Sequence, residues 1–384
     1  MTVSREQLEA REAATLAPYA ALSGKGRGRV HPEAEHAYRT AYQRDRDRII
    51  HCTAFRRLEY KTQVFVNHEG DYYRTRLTHS MEAAQVSRTV ARALGLNEDL
   101  CETVALSHDM GHTPFGHSGE DALRDLMAAH GNFEHNLQGL RIVDLLERRY
   151  PAFRGLNLTY ETRESILQHS KAKERDAIPG FDLKASPLLE SQVVDIADSI
   201  AYDNHDLDDG LKSGILDEAM LEEVALWREA HAEIRRRHPD LAERDLRAPT
   251  ILFLINQEVS DLLDETSRRL EAAKVASVAD VRAAKGHLVA FSPAMEEKKR
   301  GLQKFLYARF YRHYRVARMA SKARRIVTEL FEEYVKHPEE LPPEFQAWTQ
   351  AQGLHRGVAD YIAGMTDRYA QQEYQRLFMP FEKA

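Results

Sequence analysis

Apolar residues at spacings of three and four run through long windows poor in glycine and proline, which constrains the chain from about Thr40 onward to an all-α fold. HSMEAAQVSRTVARALGL reads as one helix, and its last glycine, Gly95, suits a left-handed C-terminal cap. DLCETVALSHDMGH reads as a second helix, with Leu100, Val104, Ala105 and Met110 as its apolar positions. HNLQGLRIVDLLERRY and LLESQVVDIADSIAYDNHDL read as a third and a fourth. The pattern persists through EEVALWREAHAEIRRR and ILFLINQEVSDLLDETSRRLEAA, and no series of alternating strands competes with it. Proline-punctuated solvent loops are expected at KAKERDAIPGFDLKASP and HPEELPPEFQ. A chain of 384 residues can bury a large core. The expected organisation is a loose N-terminal arm over residues 1–35, a helical domain over 36–330, and a C-terminal helical extension over 331–384 packed on that domain.

Bulk properties exclude several classes. A net charge of -6 gives no general attraction to nucleic acid or membrane surfaces. Two cysteines, Cys52 and Cys101, make no disulfide framework and fit a reducing, cytoplasmic setting. The first twenty residues lack the apolar run of a signal peptide, and no uncharged apolar stretch approaches membrane-spanning length.

The strongest chemical signal is His79, then the adjacent pair His108 and Asp109, then Asp198. Each alone is ordinary: a lone histidine on a mixed helix is usually core or surface, and a lone aspartate at a helix end is usually a cap. Together they form a mixed imidazole and carboxylate set of the kind divalent metals favour. Asp109 is read as ending an apolar helix, just before the Gly- and His-rich turn MGHTPFGHSGE. Neighbouring side chains diverge there by only about 100°, so both can reach one ion. His79 and Asp198, from neighbouring helices, would close the site inside a bundle.

His117 and Glu120 are three apart, a spacing at which they can hydrogen bond on a helical turn. A carboxylate beside an imidazole fixes its tautomer and makes His117 a plausible proton donor; the alternative is a helix cap and a loop histidine. Tyr202 and Asp206 follow Asp198 by four and eight and share its helical face, and Tyr202 reads equally as a core aromatic. Downstream, EEKKRGLQKFLYARFYRHYRVARMASKARR interleaves Lys and Arg with Phe305, Tyr307, Phe310, Tyr311 and Tyr314. Such interleaving can bind phosphates or single-stranded nucleic acid. The reading preferred is an amphipathic helix that contributes a basic side chain to a nucleotide pocket.

These motifs resemble the HD phosphohydrolase signature and, more narrowly, bacterial deoxyguanosine-triphosphate triphosphohydrolases and their relatives. FRRLEYKTQVF (55–65), TRLTHSMEAAQVSRT (75–89), LSHDMGHTPFGHSGE (106–120) and DIADSIAYDNHDLDDG (195–210) stand in that family's order, over roughly residues 28–330. The resemblance implies an HD-domain helical bundle with additional C-terminal helices, and one divalent ion (Mn, Mg, Fe, Co or Ni) on His79, His108, Asp109 and Asp198. The family usually has an acid directly after the ligand aspartate, and Ser199 stands there instead. The resemblance also implies a catalytic dyad of His117 and Glu120. It places His112, His135 and Arg76 by the phosphates, although Arg76 by itself reads equally as a salt-bridge residue. Gln63 falls beside the sugar, Tyr202 forms a wall against a 2'-hydroxyl, and Asp206 lies near the 3'-hydroxyl. The implied reaction is hydrolysis of dGTP or several dNTPs at the α-phosphorus, giving a deoxynucleoside and inorganic triphosphate. A homo-oligomer and an activating nucleotide are further expectations. The rivals are an HD-type nucleotidase or phosphodiesterase on other nucleotides, and a nucleotide- or nucleic-acid-sensing regulator. The GHTPFGHSGE block and the long C-terminal half count against the first, and the intact ligand set and dyad count against the second.

Overall fold

The computed structural model describes residues 2–63, 74–170 and 172–380, and these are helical: no strand occurs among them, only isolated bridges such as Arg29 with Thr159. No helix is long and apolar enough to cross a membrane among the described residues. Three helices frame the centre. Arg76–Leu94 starts from a capping box of Thr75 with Thr78 and stops at Gly95, which has φ 69° as the expected left-handed cap. Glu98–Ser107 starts on the Asn97 side chain, which accepts from the Leu100 amide. Leu189–Lys212 packs against both. The third expected helix is shorter, His135–Arg141, and continues as a π turn over Ile142–Leu146.

The residues expected as a loose arm are tied down. A capped helix, Arg5–Thr15, leads to Ala17, whose amide donates to the Gly95 carbonyl at 2.8 Å. The Ala21 amide donates to Glu190 Oε1 at 2.9 Å, and Ala20 and Ala21 are buried. Glu190 is fully buried, so its carboxylate requires such donors.

The boundary expected at residue 330 falls inside a continuous helix, Tyr314–Lys336. The main core runs from Ala20 to Phe310. A second apolar cluster joins Phe115, Leu123 and Phe133 to Val327, Leu330, Tyr334, Val358 and Ile362. The C-terminal helices therefore pack directly on the Gly116–Leu126 helix, the one that follows the His-rich turn.

Candidate active site

Four side chains from three helices converge. His79 sits in the first turn of Arg76–Leu94, and Asp198 lies midway along Leu189–Lys212. His108 and Asp109 stand just past Glu98–Ser107, which ends two residues earlier than the sequence suggested. His79 Nε2 is 2.8 Å from Asp198 Oδ1 and 3.9 Å from Asp109 Oδ2. His108 Nε2 is 3.4 Å from Asp198 Oδ1 and 3.5 Å from Asp109 Oδ1. The Nδ1 of His108 faces the Ala105 carbonyl at 2.6 Å, so Nε2 is the nitrogen turned to the site, and it is buried beside the two carboxylates without a well-formed hydrogen bond among the described residues. Burial opposes charge on His108, but the carboxylates of Asp109 and Asp198 outweigh it and push the imidazole up to about 10. The same logic holds Asp109 and Asp198 well below the ordinary carboxylate range: burial is overcome for Asp109 by Arg76 and His108, and for Asp198 by His108 and His79. His79, His108 and Asp109 offer ligand atoms within 4.8 Å of one another, and Asp198 Oδ1 lies against both imidazoles, a mixed nitrogen and oxygen set that could hold a divalent cation.

The turn after Asp109 is shaped by close backbone approach. A Cβ at Gly111 would lie 1.8 Å from the His135 carbonyl, and one at Gly119 would lie 2.1 Å from the Pro114 carbonyl, so both positions require glycine. Phe115 takes φ 63°, a region that costs a non-glycine residue energy unless its surroundings hold it there. Its ring is buried in the second apolar cluster, and its amide donates to Asp367 Oδ1 at 2.8 Å. His117 leads the next helix and stays exposed at the pocket mouth. Its Nδ1 is 3.6 Å from Glu120 Oε2, within ion-pair range but longer than the expected hydrogen bond. Glu120 instead accepts from His135, through the backbone amide at 3.1 Å and Nδ1 at 3.0 Å. Burial alone would raise Glu120, yet the imidazoles of His117 and His135 hold it well below the usual range. His135 stacks on His112 with ring centroids 3.9 Å apart, and His112 Nε2 lies 3.1 Å from Asp109 Oδ1.

A cavity of about 370 Å³ opens over this cluster. Every sequence-predicted site residue lines it except Glu120 and Asp206. Glu120 lies behind His117 and His135, in an adjoining pocket. Asp206 is buried beneath Tyr311, whose hydroxyl donates to its carboxylate, and burial raises that carboxyl well above the ordinary range. The cavity wall is rich in buried polar atoms without a hydrogen-bond partner among the described residues: Gln63 Oε1, Arg76 Nε and Nη2, His108 Nε2 and His112 Nδ1. Arg76 is 1% exposed and, among the described residues, donates only through Nη1, to Asp109 Oδ2 at 2.9 Å. Buried polar groups are normally satisfied, so this concentration of donors and acceptors without hydrogen bonds among the described residues makes the cavity the candidate ligand site.

Sequence reasoning missed His169, Asp203, Gln303, Leu306 and Tyr311 as lining residues. The His169 Nδ1 binds Asp195, and its Nε2 faces Asp198 Oδ2 at 4.0 Å. The basic-aromatic segment delivers an amide, an aliphatic and an aromatic side chain to the pocket rather than a base. Its Lys299 turns inward to Asp203 at 2.8 Å and Glu258 at 3.2 Å. Phe305 and Phe310 are core, while Tyr307 and Tyr314 are exposed. The part of FRRLEYKTQVF beyond Gln63 lies outside the described residues.

Comparisons with known proteins agree with this geometry. The HD domain family matches residues 76–203, which carry all four converging residues, and the phosphohydrolase-associated domain matches residues 289–376. A deoxyguanosinetriphosphate triphosphohydrolase-like protein of Geobacter sulfurreducens is 53% identical over 383 residues, spanning 99% of this chain and 100% of the relative. A protein of the same description from Thiobacillus denitrificans is 55% identical over 368 residues, spanning 95% of this chain and 97% of the relative.

Proposed function

The chain belongs to the HD-domain phosphohydrolase family, among the deoxyguanosinetriphosphate triphosphohydrolase-like proteins, and from that premise we propose that it hydrolyses deoxynucleoside triphosphates to a deoxynucleoside and inorganic triphosphate. The observation that carries the reading is the set of buried polar atoms around one cavity that lack hydrogen bonds among the described residues, above all two guanidinium nitrogens of Arg76. A buried, planar, permanently charged donor fork suits a polyphosphate.

His79, His108 and Asp109, with Asp198 beside both imidazoles, would hold a divalent ion, which when bound would supply positive charge against the phosphate and make water a better nucleophile at neutral pH. Arg76 and His112 bind phosphate oxygens beside it. His117, exposed at the cavity mouth and next to the Glu120 carboxylate, donates a proton to the 5'-oxygen as the ester bond breaks. Glu120 anchors His135, which keeps the His112 and His135 stack in place. The other end of the cavity is aromatic: Tyr202 and Tyr311 lie with ring centroids 6.5 Å apart, and Asp206 secures the Tyr311 hydroxyl. Tyr202 crowds a ribose 2'-hydroxyl there, and a clash of this kind discriminates by rejecting the wrong ligand. Ribonucleotides are therefore poor substrates.

The test is product chromatography with an α-labelled dNTP and the matching NTP. Label in triphosphate, with a free deoxynucleoside and slow turnover of the NTP, is expected. Labelled monophosphate, or equal rates on both sugars, would defeat the proposal. Asp109→Ala should lose bound metal and activity together, as elemental analysis of the purified variant will report.

A further inference from the structure

We propose that His205 and Glu82 are positioning residues for the metal centre, holding His79 in the tautomer that presents Nε2 to the ion. The inference rests on the metal role given to His79 above and deepens it. A ring nitrogen that faces a divalent ion must carry a lone pair, so His79 must keep its proton on Nδ1 and have an acceptor for it. The partner at that nitrogen is His205 Nδ1, 3.4 Å away, with the two rings at 87°. His205 Nδ1 accepts only if His205 carries its own proton on Nε2. That nitrogen contacts Glu82 Oε2, and an ionised carboxylate only accepts. Glu82 thus sets the tautomer of His205, and His205 sets that of His79.

The placement of the three residues supports a positioning role rather than direct contact with substrate. His205 is 2% exposed and does not line the cavity. Glu82 follows His79 by three on one helix, and His205 follows Asp198 by seven on the other, so the ligand-bearing helices supply the chain themselves. Arg74 braces it: its Nε lies 3.4 Å from Glu82 Oε1, while Nη1 donates to Asp208 at 2.7 Å and Asp209 at 3.0 Å. His108 differs, because its Nδ1 partner is a backbone carbonyl that no side-chain change removes. His79 depends on side chains, and the terminal one, Glu82, is 45% exposed.

The experiment measures Mn²⁺ affinity of the full-length protein by competition with a chelating dye. Loss of an outer partner of a ligand histidine typically weakens metal binding by about 10–100-fold. Glu82→Leu and His205→Phe should each fall in that range. Glu82→Gln, whose amide oxygen still accepts from His205 Nε2, should stay within about threefold of the parent. Parent affinity in Glu82→Leu, or equal losses in Glu82→Leu and Glu82→Gln, would overturn the inference while leaving the metal site standing. A parent protein that binds no Mn²⁺ would overturn the metal reading itself, and the inference with it.

Discussion

Asp367→Ala removes a single carboxylate that joins the C-terminal helices to two loops of the site. Asp367 is 2% exposed. Its Oδ2 accepts from the Thr62 amide at 2.8 Å and from the Thr62 hydroxyl, one residue before Gln63. Its Oδ1 accepts from the Phe115 amide at 2.8 Å, two residues before His117. The alanine variant strands two buried backbone donors, and each unsatisfied buried group costs about 1–3 kcal/mol. The Thr62 hydroxyl can rotate to another acceptor and is left out of the sum. Burial raises the Asp367 carboxyl, so removing it also relieves some desolvation. The net loss should therefore lie in the lower part of the range, about 2–4 kcal/mol, out of a typical total of about 5–15 kcal/mol. Asp367→Asn keeps one oxygen and should lose about half as much. Urea unfolding of the metal-free protein measures this, with turnover of the loaded protein beside it. Turnover should fall with metal content unchanged, because Phe115 then lacks one of the two anchors that hold its left-handed backbone. An Asp367→Ala variant within about 0.5 kcal/mol of the parent would refute the reasoning, since at least one donor would have to be satisfied elsewhere.

Two further outcomes are expected. His117→Ala should retain its metal by elemental analysis and lose about 10²–10⁴-fold in turnover at saturating substrate, the usual worth of a positioned proton donor. Metal affinity should rise with pH: in the metal-free protein His108 is pushed up to about 10, so below that value the ion must displace a proton. Dye competition between pH 6.5 and 8.5 should show about a tenfold gain per unit, and a flat profile would contradict it. The same raised value makes protonated His108 a stabilising group of the metal-free protein, fully so below its unfolded value of about 6.5 and lost as pH rises through about 10.

What the sequence determined by itself is local. Helical periodicity and the Gly95 cap depend on neighbours three or four residues apart, and the Arg76–Leu94 helix stands and stops where the pattern put it. The quartet of His79, His108, Asp109 and Asp198 was legible for a related reason, because few other roles bring an adjacent His and Asp to a buried helix end. Spacing was incomplete where several partners share one group. His117 sits at the right interval from Glu120, but the carboxylate spends its hydrogen bonds on His135, fifteen residues on, because the Gly111 contact brings that segment across the turn. Tyr311 over Asp206, Asp195 on His169, and the Asp367 tie to Thr62 and Phe115 join residues 26 to 305 positions apart. No local pattern encodes these pairings. They follow from which helix faces bury against each other, and a buried carboxylate then takes whichever donors that packing leaves beside it.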